Sequence, residues 1–204
     1  MLIAIDGPAG AGKSTVARAL AAHLGIGYLD SGAMYRCVAL LALRSPQSDL
    51  PGLAAGARIE LAADGVRLDG EDVTDQIRTA QVSSAASRVA ADPDVRRALV
   101  AKQREILAAG DWVCEGRDIG TVVAPDADVK VFLTADEHER ARRRAAELGA
   151  GAADVAQEIA ARDRRDAARE HSPLRAAPDA AVIDCTALSV AEVVARISAL
   201  AGRR

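Results

Sequence analysis

The stretch Leu2-Ile3-Ala4-Ile5-Asp6-Gly7-Pro8-Ala9-Gly10-Ala11-Gly12-Lys13-Ser14 decides the fold. From Gly7 to Ser14 it matches G-x-x-x-x-G-K-[ST] at every fixed position. The apolar run Leu2 to Ile5 just before it reads as a strand that feeds a glycine loop and then a helix. Glycines let a backbone curl until successive N–H groups point at one anion, and the helix adds the positive end of its dipole at the same spot. The spacing therefore predicts a phosphate cradle, with Lys13 reaching the β and γ phosphates of a nucleoside triphosphate and the Ser14 hydroxyl offered to Mg²⁺. A glycine-rich turn with an accidental lysine is the bland alternative. It does not explain why strand, loop and helix all fall where the motif needs them.

Working outward, Val16, Leu20 and Leu24 are spaced to face a sheet from the helix after the loop, and Gly25 and Gly27 bracket its end. Further strand-like runs lie at Ile26 to Leu29, Trp112 to Cys114, Val129 to Leu133 and Ala180 to Ile183, separated by longer segments of helical spacing. This predicts an α/β fold, a parallel sheet covered by helices. Residues 58–78 break the rhythm: Ile59-Glu60-Leu61, Asp64-Gly65, Val66-Arg67-Leu68 and Asp69-Gly70 read as an inserted antiparallel hairpin. Ser45 to Gly56, with Pro46 and Pro51, reads as a surface connection. Glu137 to Glu170 is dense in charge and alanine, with Gly149-Ala150-Gly151 near its middle, as two helices joined by a tip would be. Within it Arg162, Arg165 or Asp166, and Arg169 fall on one side at helical spacing, which suits a mobile basic lid as well as a solvated face.

Composition narrows the partners. The chain has 204 residues, half of them apolar, enough for one domain with appendages. No apolar run is long enough to span a bilayer, and the opening run before Asp6 is too short for a signal-peptide core, so a soluble, intracellular protein is expected. Cys37, Cys114 and Cys185 have no paired spacing and read as buried thiols. A formal charge of −3 argues against a protein that binds nucleic acid by neutralising many phosphates; a small anion in a basic pocket fits better. Of 26 basic residues 23 are arginine, a bias that base composition explains, although arginine forks also grip phosphate. The chain has no asparagine, so it lacks the Asn-Lys-x-Asp signature with which many GTPases read guanine.

Two more segments sit where an α/β sheet places ligand loops, at the carboxyl ends of its strands. In Asp30-Ser31-Gly32-Ala33-Met34-Tyr35-Arg36, the first two residues serve as a helix N-cap or a ligand contact, and capping gives no reason for Tyr35 and Arg36. In Glu115-Gly116-Arg117-Asp118-Ile119-Gly120-Thr121-Val122-Val123, the Arg-Asp pair is either a structural salt bridge or part of a site.

With these segments in view, the chain resembles the bacterial cytidylate kinases, the (d)CMP kinases among the P-loop nucleoside monophosphate kinases. The resemblance runs through residues 5–15, 30–36, 70–79 (Gly70-Glu71-Asp72-Val73-Thr74-Asp75-Gln76-Ile77-Arg78-Thr79), 83–87, 93–96, 115–123 and 162–169, ending at Ser172-Pro173-Leu174. It implies a P-loop kinase fold with a central five-stranded parallel sheet flanked by helices. The core would comprise residues 1–30, 98–135 and 171–204, the inserted monophosphate-binding subdomain with its small antiparallel sheet 31–97, and the helical lid 136–170. It implies ATP and Mg²⁺ as cofactors, ATP bound at Gly7, Pro8, Ala9, Gly10, Ala11, Gly12, Lys13, Ser14 and Thr15, with Ser14 as the metal ligand. CMP and dCMP would be the substrates, with no nucleic acid or membrane partner, in a monomeric cytoplasmic enzyme of pyrimidine metabolism. Arg36, Arg117 and Arg169 would hold the acceptor's phosphate, Asp166 and Arg162 its sugar, and Ser87, Arg96 and Asp118 its cytosine, with Asp30, Ser31 and Tyr35 beside the acceptor. Catalysis would fall to Lys13, Arg117, Arg162 and Arg169. One departure is Arg164, where relatives often carry aspartate; it leaves open which of Arg162, Arg164 and Arg165 faces the transferring phosphate.

The expected chemistry is direct in-line transfer from ATP, for which the protein supplies alignment and charge neutralisation. The acceptor is already ionised, so no strong base is needed, and His23, His138 and His171 read as surface residues. Two rivals are a small-molecule kinase for AMP, UMP or a metabolite alcohol, and a nucleotide-gated switch or polyanion-stimulated ATPase. The hairpin insert and Ser87 to Arg96 argue against the first. The second lacks a convincing Walker-B strand, since Val129 to Leu133 runs into Thr134-Ala135 before Asp136.

Overall fold

Strand β1 (Leu2–Asp6) is almost wholly buried and sits at the centre of a five-stranded sheet of order β2-β6-β1-β7-β8, with β2 at Gly27–Asp30, β6 at Trp112–Gly116, β7 at Val129–Thr134 and β8 at Ala181–Asp184. The computed structural model describes residues 1–62, 65–149, 151–170 and 172–202. Strand β1 pairs parallel with β6 on one side and with β7 on the other, and β7 pairs parallel with β8. In that register Asp6 lies opposite Gly116 and Phe132, so the loops leaving β1, β6 and β7 emerge at one edge. Parallel strands covered on both faces read as near-continuous apolar runs, and Ile3, Ile5, Val113, Val131 and Leu133 supply them here.

Contacts divide the chain into two compact units, residues 1–29 with 109–204, and residues 30–108. The first holds the sheet with α1 (Lys13–Leu24), α6 (Glu137–Leu148), α7 (Ala152–Ala167) and α8 (Val190–Ala201). Its core joins Val16 and Leu20 of α1 to Ile3, Ile5 and Val131 of the sheet and to Val193 and Ile197 of α8. Helix α1 ends where the sequence predicts, with Gly25 left-handed at φ 68°.

The second unit has a core of its own. Helices α2 (Ser31–Arg44), α4 (Ala80–Val89) and α5 (Pro93–Leu107) bury Met34, Val38, Ala86, Val95 and Leu99. The predicted hairpin forms as β3 (Ile59–Ala62) and β4 (Gly65–Leu68), and a third short strand, β5 (Glu71–Asp72), extends it into a three-stranded antiparallel sheet. Asp64 of the predicted turn lies outside the described residues.

Three features differ from expectation. Part of the connection 45–56 is helical: α3 (Leu50–Gly56) starts at Asp49, whose carboxylate accepts the Gly52 N–H, with Pro51 in its first turn. Arg169 lies beyond the end of α7, and Arg165 is exposed, so the predicted stack on one helix face is made by Arg162 and Asp166. Strand β6 runs to Gly116, so that Glu115 is a buried carboxylate within the sheet. All three cysteines are free and buried, and no helix among the described residues is long and apolar enough to cross a membrane.

Candidate active site

Between β1 and α1 the loop is shaped by glycines that no other residue replaces. A Cβ on Gly7, at φ +151°, would sit 2.1 Å from the carbonyl oxygen of Leu133, and one on Gly10, at φ +73°, 2.5 Å from that of Arg140. Gly12 caps α1 without any side-chain hydrogen bond, so the first turn of the helix is left to attract an anion. Lys13 is buried and donates from Nζ to the Pro8 carbonyl at 2.8 Å, folding back over the loop. Burial first, and then the neighbouring Arg117 and Arg162 guanidiniums, pull its pKa down to about 7, while Glu115 and Asp163 oppose them. Ser14 is half-buried and Thr15 exposed in the same first turn.

A second set of guanidiniums gathers on one carboxylate. Asp166 of α7 is buried and accepts from Arg117 Nε at 3.0 Å and from Arg169 Nη2, with Arg162 Nε 3.8 Å away. Burial alone would raise its pKa, but Arg117, Arg169 and Arg162 together hold it below the usual carboxylate range. Three guanidiniums thus gather around one carboxylate. Arg117 also donates from Nη1 to the Gly7 carbonyl at 3.0 Å, which ties this cluster to the phosphate cradle. Its predicted partner Asp118 is not the one it takes; Asp118 is buried where a π-helical turn, Ile119–Val123, begins.

Two site residues are not singled out by the sequence. Arg140 of α6 donates from Nη1 to the Ala9 carbonyl at 3.0 Å and pairs with Asp163 of α7, which accepts the Ala9 N–H at 3.1 Å. Ala9 packs there with Ala145, Val155 and Ile159. The helical spacing of 159 and 163 carries the signal for Asp163, but nothing local marks Arg140 among its arginine neighbours. Arg164 and Arg165 are exposed, leaving Arg162 as the one of the three that faces the cluster. Beyond Gly12, a cavity of about 500 Å³ is lined by Gly12, Thr15, Arg143, Cys185, Thr186 and Leu188.

In the second unit Asp30 caps α2, accepting the Ala33 N–H at 2.9 Å, and also lies 3.9 Å from Arg36. Both readings of Asp30 are thus compatible with one geometry. Ser31 is buried beside it. Arg96 of α5 is buried with its guanidinium 5.4 Å over the Tyr35 ring and donates to the Ala90 carbonyl, and Ser87 is buried on α4. His23 and His138 are exposed, and His171 lies outside the described residues.

A phosphate cradle at the carboxyl edge of a five-stranded parallel sheet, with arginines converging beside it, defines a P-loop kinase. The same fold occurs in shikimate kinase from Bacteroides thetaiotaomicron, which matches 99% of this chain and 98% of its own with a TM-score of 0.53 at 12% identity. A profile of the cytidylate kinase family matches residues 3–203. The cytidylate kinase of Solibacter usitatus (strain Ellin6076) is 52% identical over 95% of this chain and 88% of its own. That of Pelotomaculum thermopropionicum (strain DSM 13744 / JCM 10971 / SI) is 53% identical over 99% of this chain and 97% of its own. The chain belongs to the cytidylate kinase family.

Proposed function

We propose that this chain transfers the γ-phosphoryl group of ATP to CMP or dCMP, giving ADP and CDP or dCDP by direct in-line displacement. The observation that carries the reading is the convergence of Arg117, Arg162 and Arg169 on Asp166, tied through Gly7 to the phosphate cradle. Transfer between two polyanions is limited by charge repulsion and alignment, and fixed guanidiniums relieve both.

The loop from Gly7 to Thr15 takes the triphosphate, and the cavity past Gly12 takes its nucleoside. Lys13, released from the Pro8 carbonyl, spans the β and γ phosphates. Two hydroxyls, Ser14 and Thr15, lie in the first turn of the helix, and no cluster of three carboxylates, imidazoles or thiols stands among the described residues. That donor set suits Mg²⁺ held mainly by phosphate oxygens and water. Bound there with Ser14 as its protein ligand, the metal would offset charge on the transferring group.

To the acceptor's phosphate we assign Arg36, Arg117 and Arg169. Arg162 and Asp166 meet the sugar, while Ser87, Arg96 and Asp118 read cytosine, whose amino group needs a carboxylate and whose ring acceptors need donors. Asp30, Ser31 and Tyr35 support the acceptor. Residues 31–97 form the monophosphate-binding subdomain and 136–170 a lid on the core of 1–30, 98–135 and 171–204. The enzyme works as a cytoplasmic monomer in pyrimidine nucleotide metabolism.

The test is ADP release measured with CMP, dCMP, UMP and AMP as acceptors, together with two variants. CMP and dCMP should be used in strong preference, and release without an acceptor should be slow. Arg117→Ala should lose about 10³-fold in kcat/KM while Arg165→Ala stays close to wild type. Equal rates for the two variants, or AMP as the better acceptor, would overturn the assignment.

A further inference from the structure

We infer that Asp6, the last residue of β1, is a positioning residue for Arg117 and Asp118. This rests on the reading of those two residues as acceptor ligands. Asp6 is 4% exposed, and both oxygens of its carboxylate are taken by backbone N–H groups. Oδ1 accepts the Ile119 N–H at 2.8 Å and Oδ2 the Gly120 N–H at 2.8 Å. These are the first N–H groups of the π-helical turn that follows Asp118, and such groups have no partner within the turn itself. The Asp118 carbonyl accepts in turn from Val122 and Val123, so the turn winds about that residue.

A carboxylate from a strand 113 residues away in sequence thus caps the segment that carries Arg117 and Asp118. The tie runs both ways. Gly7, the neighbour of Asp6 and the first residue of the phosphate loop, accepts Arg117 Nη1. Residues 6 and 7 and residues 117 to 120 are therefore stapled by three hydrogen bonds, two to a side chain of the first segment and one to its backbone. The staple fixes the Arg117 guanidinium against the phosphate loop and sets the direction in which Asp118 leaves β6. An apolar residue here would extend β1 as a core strand, as Ile3 and Ile5 do, and leave both N–H groups buried without partners.

Asp6 also lies near Lys13, whose charge it offsets. Its removal should loosen the staple while making the cradle more positive. Turnover and triphosphate binding should then move apart, which a purely structural defect would not cause.

The experiment compares Asp6→Asn, nearly isosteric but unable to accept both N–H groups, with Asp6→Ala. Three readouts are needed: steady-state kcat and KM for CMP, the affinity for a non-hydrolysable ATP analogue by calorimetry, and amide exchange at Ile119 and Gly120 in the free protein. The expected result for both variants is a loss of about 100-fold in kcat/KM for CMP, the scale set by a displacement of roughly 1 Å at a reacting group. Analogue affinity should be equal to or tighter than wild type, and the two amides should exchange faster than they do in wild type. Turnover within twofold of wild type, unchanged amide protection, or a parallel loss of analogue affinity and turnover would each overturn the inference. If Asp6→Ala fails to fold, Asp6→Asn decides alone. Should the wild type prefer another acceptor, the amide and analogue measurements still test the staple, so the two failures are distinguishable.

Discussion

Asp6 shows what a single residue costs when function places a carboxylate in a core. Burial, with Asp118 adding to it, raises its pKa from 3.8 to about 6, against the bonds from Gly120 and Ile119 and the charge of Lys13. Lys130 crosses the same turn, its methylenes close to Gly120 and its ammonium paired with Asp179. Between the unfolded and folded values the native chain holds a proton that the unfolded chain has released, so stability contributed by this group falls as pH rises through that window. Asparagine does not titrate. The unfolding free energy of Asp6→Asn, measured against wild type in urea, should therefore improve by on the order of 2 kcal/mol from about pH 4 to about pH 7, whatever constant penalty the lost bond adds. A difference that stays flat with pH would mean that Asp6 ionises in the fold as readily as in the unfolded chain. The opposite sign applies to Asp166: held below the ordinary range, it adds stability above the unfolded pKa that is lost as pH falls through its folded value.

Among the elements, the pair α6 and α7 depends on one buried ion pair more than on its many surface charges. Arg140 and Asp163 have side chains only 8% and 17% exposed, and between them they satisfy the carbonyl and the N–H of Ala9. Removing one partner strands the other, so Arg140→Ala should cost about 3 kcal/mol. Arg142 pairs with Glu139 at 2.7 Å but is 69% exposed, and Arg142→Ala should cost no more than about 1 kcal/mol. Chemical denaturation of the two variants checks this, and similar losses would show that the pair at Ala9 is no stronger than a surface bridge. The contrast also explains what was legible in the sequence. Elements announced by periodicity or by a fixed motif could be read: the five strands, the cradle, α1 and the hairpin. Helix α3 could not, because Leu50-Pro51-Gly52-Leu53 shows no apolar period and its start rests on one Asp49 cap. Asp6, Arg140 and Glu115 were illegible as site residues, since each takes its role from a partner brought close only by tertiary folding, and Asp163 showed no more than its helical spacing from Ile159.

For the whole molecule, the consequence of two units with separate cores is that each can open on its own account. Buried thiols report this directly. Cys37 lies within the second unit's core, and burial pushes its thiol up to about 12, so it reacts only after that unit opens. Cys185 lies in the first unit, its Sγ 3.2 Å from the Ala11 carbonyl of the phosphate loop and 3.0 Å from that of Thr134. Opening that exposes Cys185 therefore breaks its contact with the cradle. Two variants, one retaining only Cys37 and one only Cys185, can be labelled with a thiol reagent under native conditions. A non-hydrolysable ATP analogue at about 100 times its Kd should slow labelling of Cys185 roughly 100-fold or more, because the ligand fills the cavity that Cys185 lines and must leave before that thiol is reached. Cys37 should be slowed far less, since its exposure leaves the loop and its ligand in place. Equal slowing of both thiols would mean that the chain opens as one cooperative body, and the division into two units would then describe packing alone and carry no energetic meaning.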